Sequence, residues 1–346
     1  MDIITNDYNN ICNTASIDWL CLKHKTVLVT GGTGLIGSTL VNALAVANRE
    51  KDLDLKIVCV VRNIEKAKRK LDPEIVIMKA SIEEKIDFSD SVDYIIHAAS
   101  PTASLFFVSN PVDTIRISVN GTTNLLEFAK EKKVEGFVYL SSMEVYGCPK
   151  ENKDVSEKDV GGFDTMIARN SYPQSKQLCE MLCKAYQHQY GVPTKVVRLT
   201  QTFGPGVEYN DKRVFAEFAR CAIEKKDIVL HTPGMTERSY LYTADAVTAV
   251  LAVLTRGNPG EAYTAANSET YCSIVDMANL VARDIAKNEI AVKFEIDNIN
   301  RGYAEELHLR LDTKKIRDLN WKPMVGLREM FINMIEWLIL QPENNY

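Results

Sequence analysis

Three things are missing from this sequence, and each removes a class of function. There is no long apolar run. Stretches such as VDYIIHAAS, residues 92–100, end far short of the roughly 20 residues that span a bilayer, so no membrane partner is expected. There is no excess of positive charge. The 41 Lys and Arg face 46 Asp and Glu, for a net charge of −5 and a pI near 5.7, which leaves no basic field for nucleic acid. There is no CxxC pair among the eight cysteines at 12, 21, 59, 148, 179, 183, 221 and 272. Cys179 and Cys183 stand four apart, but no histidine cluster joins them. We therefore expect no metal site, and read the thiols as small hydrophobes of a cytoplasmic protein. The first residues carry Asp2 and Asp7 and no basic residue ahead of an apolar core, so they do not read as a secretory signal.

What is present is a folding composition. Apolar residues make up 46% and charged residues 25%, near the average of soluble globular chains. A length of 346 residues allows two domains, or one large unit with an attached lobe. Residues 1–24 read as a helical or irregular extension anchored by Ile11, Ile17, Trp19 and Leu20. After it, short apolar runs at 26–30, 56–61, 75–78, 94–99, 137–140 and 194–199 alternate with helical patterns at 35–49, 64–71, 114–131 and 172–190. That alternation predicts βαβ units with right-handed crossovers and a parallel sheet. Beyond residue 200 the order loosens. Helices are expected at 214–225, 244–255, 274–287 and 327–340, and a strand at 239–242.

Three motifs carry chemistry. Thr30-Gly-Gly-Thr-Gly-Leu-Ile-Gly37 lies between a strand and a helix. Its Gly31, Gly34 and Gly37 permit a tight turn and close backbone approach to a pyrophosphate, with the phosphates at the helix N-terminus. Gly31, Thr33, Gly34, Leu35, Ile36 and Gly37 are thus candidate contacts to NAD or NADP. The fold expected is a Rossmann-type, doubly wound α/β sheet with a smaller, intertwined C-terminal α/β substrate lobe. The dinucleotide domain is placed at 25–200, with 236–262 returning to it; the lobe is placed at 201–235 and 263–346. The second strand ends in Val61-Arg62-Asn63, where an acidic residue would hold the ribose 2′-hydroxyl of NAD. Arg62 is a candidate to stack on adenine or pair with a 2′-phosphate, while Lys68 to Lys70 read as a solvated face.

The second motif is Tyr172-Pro-Gln-Ser-Lys176, a Tyr and a Lys on one helix face. A tyrosine ordinarily ionises near pH 10, and bringing it near 7 takes about 4 kcal/mol, which the Lys176 ammonium and a positive nicotinamide ring can supply. The third is Leu140-Ser-Ser-Met-Glu-Val-Tyr-Gly147, at the carboxyl end of a parallel strand where ligands bind. Ser142 there is placed to hydrogen-bond an oxygen being oxidised, and Glu144 to reach the same pocket.

Together these residues resemble the extended short-chain dehydrogenase/reductase family, in particular its NAD-dependent nucleotide-sugar epimerase/dehydratase group. The resemblance covers about residues 25–335. TGGTGLIG is similar to TGGxGxIG, His97-Ala-Ala-Ser100 to a strand end beside the cofactor, SSMEVYG to SSxxVYG, and YPQSK to YxxSK. Arg198 to Pro205 (RLTQTFGP) resembles RxxNxYGP, Arg238 to Val247 (RSYLYTADAV) resembles RDxIYVxDxA, and Leu319 to Pro323 resembles LGWxP. The resemblance implies that Ala98, Ala99 and Ser100 line the cofactor. It also implies that Tyr172, Lys176 and Ser142 abstract a proton while NAD(P) takes a hydride from sugar C4. Arg238 would bind the diphosphate of a nucleotide sugar, with Gln201 in the place of the family's Asn and Arg301 or Arg310 near a second phosphate site.

The departures sort the outcomes. Met143 stands where sugar dehydratases carry a proton-donating Asp, and a thioether donates no proton. Thr-Ser-Glu, HxASP and NTFGP of UDP-glucuronate decarboxylases are similar to residues 142–144, 97–101 and 201–205, whereas Ser118, Ser175 and Gln201 depart from that subgroup. Epimerisation or decarboxylation is therefore favoured over dehydration. A one-way NADPH-dependent ketoreductase is the alternative that Arg62 supports, and a non-catalytic NAD(P) sensor is opposed by the intact Tyr–Lys pair. The resemblance also implies a homodimer through the helices at 114–131 and 172–190, with Leu125, Phe128, Leu178 and Leu182 as candidates.

Overall fold

The computed structural model describes residues 2–149, 153–296 and 306–340. Seven strands form one sheet: β1 (Thr26–Thr30), β2 (Lys56–Val61), β3 (Val76–Lys79), β4 (Tyr94–His97), β5 (Gly136–Ser142), β6 (Thr194–Leu199) and, later in the chain, β10 (Ala262–Ala265). Their order is β10-β6-β5-β4-β1-β2-β3, and every neighbouring pair is parallel. The order reverses between β1 and β4, which opens a crevice beyond their carboxyl ends. All five residues of β1 are buried, as are the last five of β2. Such strands, covered on both faces, read as continuous apolar runs.

Apart from the helix-free connection from β3 to β4, the crossovers of the first half are helical. Helix α1 (Ile3–Asn13) precedes β1, and α2 (Leu35–Glu50), α3 (Ile64–Lys70), α4 (Ser104–Ser109), α5 (Pro111–Lys132) and α6 (Ser171–Tyr190) follow in turn. Lys133 and Gly191 take left-handed conformations that close α5 and α6. The short α4 carries no strong periodicity and was not anticipated.

The second half builds a small sheet from β7 (Gln201–Phe203), β9 (Glu237–Tyr242), β11 (Asn267–Ser273) and β13 (His308–Leu309); β8 (Ile228–Leu230) pairs with β12 (Val292–Phe294). Helices α7 (Val214–Glu224), α8 (Thr243–Arg256), α9 (Ile274–Leu280), α10 (Lys314–Arg317) and α11 (Leu327–Ile339) cover it. Residues 236–262, expected to return to the main domain, divide. Strand β9 belongs to the small sheet, α8 packs on β5, β6 and β10, and it is β10 that closes the edge of the main sheet. The helix expected at 274–287 ends at Leu280 and continues as a π turn, Val281–Ile285.

Buried polar ties hold the two parts together. The Asp245 carboxylate accepts from the backbone N–H of Met324 (3.0 Å) and Val325 (3.1 Å), and Trp321 donates to Thr248 at 2.9 Å. Helix α1 packs against α2, α8 and α11. Its Asp7 accepts from the Tyr242 hydroxyl at 2.8 Å, which in turn accepts from Asn333 at 3.0 Å. Residues 2–24 thus join the core through α1 and the buried Ile11, Ile17 and Trp19, whereas Leu20, expected as a further anchor, is exposed.

Burial pushes the Asp7 carboxyl up to about 7, with Asp245, Asp2 and Glu329 adding to the rise and the Tyr242 bond opposing it. A carboxyl that holds its proton more tightly when folded loses stabilisation as pH rises from about 4 to about 7. In Asp7→Asn the amide oxygen still accepts from Tyr242 without a charge to desolvate. Thermal melts should show the variant more stable than wild type at about pH 8, with the gap shrinking toward about pH 4. Equal melting curves at both values would refute the buried ionisable contact.

Candidate active site

The crevice is built around the turn after β1. Gly31 has φ +75°, and a Cβ there would lie 2.6 Å from the backbone nitrogen of Ala99; a Cβ on Gly37 would lie 2.2 Å from the Gly31 carbonyl oxygen. Only glycine allows this approach. The Thr30 hydroxyl accepts from Ala99 N–H at 3.3 Å and bonds His97 Nδ1 at 2.8 Å, stitching the turn to the end of β4. Gly34 caps α2 with no side chain on its first N–H groups, which leaves them for an anion. Thr33, Leu35 and Ile36 complete the turn, and Ala98, Ala99 and Ser100 follow β4 beside it. A bare glycine cradle of this shape fits a dinucleotide pyrophosphate.

At the end of β2, Arg62 is exposed and Asn63 caps α3, accepting from Lys66 N–H at 2.9 Å. Lys66 and Lys70 both pair with Glu208, at 3.2 and 3.3 Å, and Lys68 pairs with Glu65. No carboxylate occupies the position that ends the strand.

On the other side of β4, strand β5 delivers Ser142. Its hydroxyl accepts from Glu144 N–H at 3.2 Å and starts the short 3-10 turn Met143–Tyr146. Helix α6 brings Tyr172, buried, to the end of β5, where its phenol lies beside Ser142. The Tyr172 ring stacks face to face on Phe107 of α4, centroids 4.0 Å apart at 7°. Arg169 lies over Phe107 at 5.2 Å and donates to the Glu144 carboxylate at 3.0 Å. Burial raises the Tyr172 phenol above its ordinary value and Glu144 adds to the rise; the nearby Ser142 hydroxyl and the Arg169 charge oppose it. Met143 points away from this group. It is buried with Val145, Tyr146, Leu309 and Leu311, and its sulfur accepts from Thr200 at 3.1 Å.

A sequence profile of the NAD dependent epimerase/dehydratase family matches residues 27–266. The chain belongs to that family. UDP-glucuronic acid decarboxylase 6 of Arabidopsis thaliana is 28% identical over 317 residues, 89% of this chain and 87% of that protein. The human dTDP-D-glucose 4,6-dehydratase is 28% identical over 328 residues, 90% of this chain and 89% of its own. Among solved structures, an epimerase of Methanothermobacter thermautotrophicus superposes with a TM-score of 0.78 at 24% identity, covering 93% of this chain and 94% of its own. The UDP-glucuronic acid 4-epimerase of Bacillus cereus, solved with NAD, gives 0.73 at 21%, covering 91% and 98%. This chain therefore has the fold of an NAD-dependent enzyme family.

Within that family fold, some expected residues meet and others do not. Ser142, Tyr172 and Glu144 converge. Lys176 shares their helix face, but its ammonium donates to the Leu140 carbonyl at 2.8 Å and sits 5.8 Å from the Tyr172 ring centroid. Burial pushes it down to about 8. The Lys176 ammonium is thus tied to the end of β5 within reach of the Tyr172 ring, and Glu144 and Arg169 add charges of opposite sign beside the phenol. Gln201 and Arg238 lie on the small sheet, where Arg238 Nε is buried without a partner. Arg310 instead makes an exposed ion pair with Asp154. Arg301 lies outside the described residues. No group of three or more His, Cys, Asp or Glu among the described residues is arranged to hold a metal ion.

Sequence reasoning missed Phe107 and Arg169. Arg169 carried a usable signal, since it precedes Tyr172 by three residues, one helical turn. Replacing it with alanine removes the cation that lowers the phenol and unpairs the carboxylate that raises it. A base works only when ionised, so the rise of kcat/KM with pH should move to higher pH in Arg169→Ala. A profile that coincides with wild type would show that the pair does not govern Tyr172.

Proposed function

We propose that the chain oxidises a nucleotide-linked sugar at C4 and then epimerises or decarboxylates it. The observation that carries this reading is the meeting of Tyr172 with Ser142 and Glu144 at the carboxyl end of β5, two strands from the glycine turn. Gly31, Thr33, Gly34, Leu35, Ile36 and Gly37 would hold the dinucleotide phosphates, Ala98, Ala99 and Ser100 would line its path, and Lys176 would lie toward its nicotinamide end. A bound nicotinamide dinucleotide supplies hydride transfer. The protein's part is acid–base work. Tyr172 takes the proton of the sugar hydroxyl, and Ser142 hydrogen-bonds the same oxygen and holds the phenol in line. Arg238 and Gln201 bind the nucleotide diphosphate from the lobe.

The relatives divide between decarboxylases acting on UDP-glucuronic acid and dehydratases acting on dTDP-D-glucose. Met143 weighs against dehydration, because its sulfur is buried against Thr200 and carries no proton. A second reading rests on Arg62. An exposed arginine at the end of β2, with no acidic partner for a ribose, suits a 2′-phosphate, and so supports a reductase that draws on NADPH. The buried thiols of Cys12, Cys59, Cys179 and Cys183 fit a reducing, cytoplasmic setting.

Denaturing the purified protein and weighing the released cofactor separates the readings: retained NAD supports self-recycling epimerisation or decarboxylation, and an empty protein that binds NADPH supports the reductase. Tyr172→Phe should lose about 10²–10⁴-fold in turnover while still binding cofactor. Titration with UDP, CDP, GDP and dTDP identifies the base, and binding of none of them redirects the reading to a sugar phosphate.

We also infer a homodimer through the same two helices, α5 and α6, with Leu178 alone of the four candidates exposed. Leu125 and Phe128 are buried against the main sheet, and Leu182 packs partly against it. Val112 and Ile115 on α5, and Leu178 and Met181 on α6, are the exposed apolar pairs, with Val112 72% and Met181 64% accessible. Spacings of three make each pair a stripe. Light scattering should give twice the chain mass of 38.9 kDa for wild type and that mass alone for Ile115→Glu with Met181→Glu. A wild-type monomer at micromolar concentration ends the idea.

A further inference from the structure

The small sheet presents one face on which polar groups go unused. Strands β7 and β9 are parallel, with Gln201 opposite Tyr240 and Phe203 opposite Tyr242. Register partners share a face, and alternate residues along a strand do too, so Gln201, Arg238, Tyr240 and Tyr242 all project from one side. Phe203 meets the Tyr240 ring edge-on at 5.9 Å, which agrees with that placement. Tyr242 is satisfied by Asp7 and Asn333. Tyr240 is not. It is fully buried, and its hydroxyl has no hydrogen-bond partner. Arg238 Nε, two residues back on the same face, is also buried and unpartnered.

Two orphaned buried polar groups side by side are unusual, since nearly all such groups in native proteins are paired. Here they are complementary. The guanidinium only donates, and a phenol oxygen accepts. The Arg238 charge is felt at the Tyr240 phenol, where it opposes the effect of burial. Across the sheet the residue opposite Arg238 is Cys272, a poor acceptor. The nearest carboxylate along the strand, Glu237, belongs to the other face and is taken by Tyr271 and His308. Among the described residues, therefore, no ion pair or side-chain hydrogen bond claims Arg238, and Tyr240, two positions on, is the unpartnered buried acceptor on its own strand face.

We propose that Tyr240 is a positioning residue for Arg238. When the diphosphate of the substrate enters beside Gln201, Arg238 turns so that one N–H bonds the Tyr240 oxygen and the rest of its fork faces the phosphate oxygens. Tyr240 itself stays behind the arginine, out of contact with substrate. The proposal rests on the nucleotide-sugar reading above and adds the group that aims its anion site. The aromatic ring serves packing, which phenylalanine would serve equally; the hydroxyl serves only Arg238.

A double-mutant cycle tests it by calorimetry, with whichever of UDP, CDP, GDP and dTDP binds the wild-type protein best. Tyr240→Phe should weaken that nucleotide about tenfold, the worth of one charge-assisted hydrogen bond, leave dinucleotide binding unchanged and leave the melting temperature no lower. In an Arg238→Ala background the same change should cost nothing further. Unaltered nucleotide affinity in Tyr240→Phe, additive losses in the double variant, or a lowered melting temperature would each overturn the positioning role. Full affinity in Arg238→Ala alone would remove the anion site itself, which is the failure of the substrate reading rather than of Tyr240.

Discussion

The site depends on how closely the turn after β1 lies against the end of β4. Gly31 leaves no room for a side chain between itself and Ala98–Ala99, and Thr30 and His97 close the seam with a buried hydrogen bond. His97 also meets Thr122 of α5 at 3.2 Å. Burial, with the Lys176 charge nearby, pushes this imidazole down to about 3, so it is a neutral strut and not an acid or base. The same seam sets Lys176. An ammonium beside a neutral histidine, over the Tyr139 ring and bonded to the Leu140 carbonyl, is fixed by the sheet end before any ligand is considered. One close backbone contact thus positions the phosphate cradle on one side of β4 and the acid–base group on the other.

The lobe is set by a second group of buried polar contacts. RSYLYTADAV and LNWKP sit far apart in sequence, yet their residues meet: Asp245 holds the backbone at 324–325, and Trp321 reaches Thr248. A buried carboxylate that accepts several N–H bonds offsets its own desolvation in part, and burial still pushes Asp245 up to about 6. Tyr242, held by Asp7 and Asn333, ends the strand that carries Arg238 and Tyr240. The positions that present the proposed anion site are therefore anchored from both ends of the chain.

The main sheet was legible because its strands are apolar on both faces and its helices keep a 3.6-residue period. Strands β1, β2 and β6, and helices α2, α5 and α6, lie within a few residues of their expected bounds. The small sheet was mostly not legible. Strands β7, β8, β12 and β13 are two or three residues long, too short for alternation to register, and they exist because tertiary neighbours pair them. In the site, the glycine turn follows from glycine sterics, and local spacing sets Lys176 beside Tyr172. Contacts made through space leave no such mark: i,i+4 spacing says nothing about the carbonyl 36 positions away to which Lys176 bonds. Phe107 had no local signal, since a six-residue helix on a loop has no period to read.

The chemistry left at the mouth of the crevice bears on the fate of an oxidised sugar. The resemblance to sugar dehydratases implies a proton-donating Asp at the position after Ser142, and here Met143 lies in an apolar cluster instead. Met143, with its sulfur against Thr200, packs between β5 and the lobe and has no proton to give. What faces the proposed base instead is a charge pair, Glu144 with Arg169, each side chain about one-third exposed. Exposed pairs of this kind are weak, worth about 0–1 kcal/mol, and so can be exchanged for a stronger partner at little cost. Glu144 raises the phenol and Arg169 lowers it. Under the proposed function, a ligand that engages one of them would change the balance on Tyr172 without touching it, through two side chains of opposite sign.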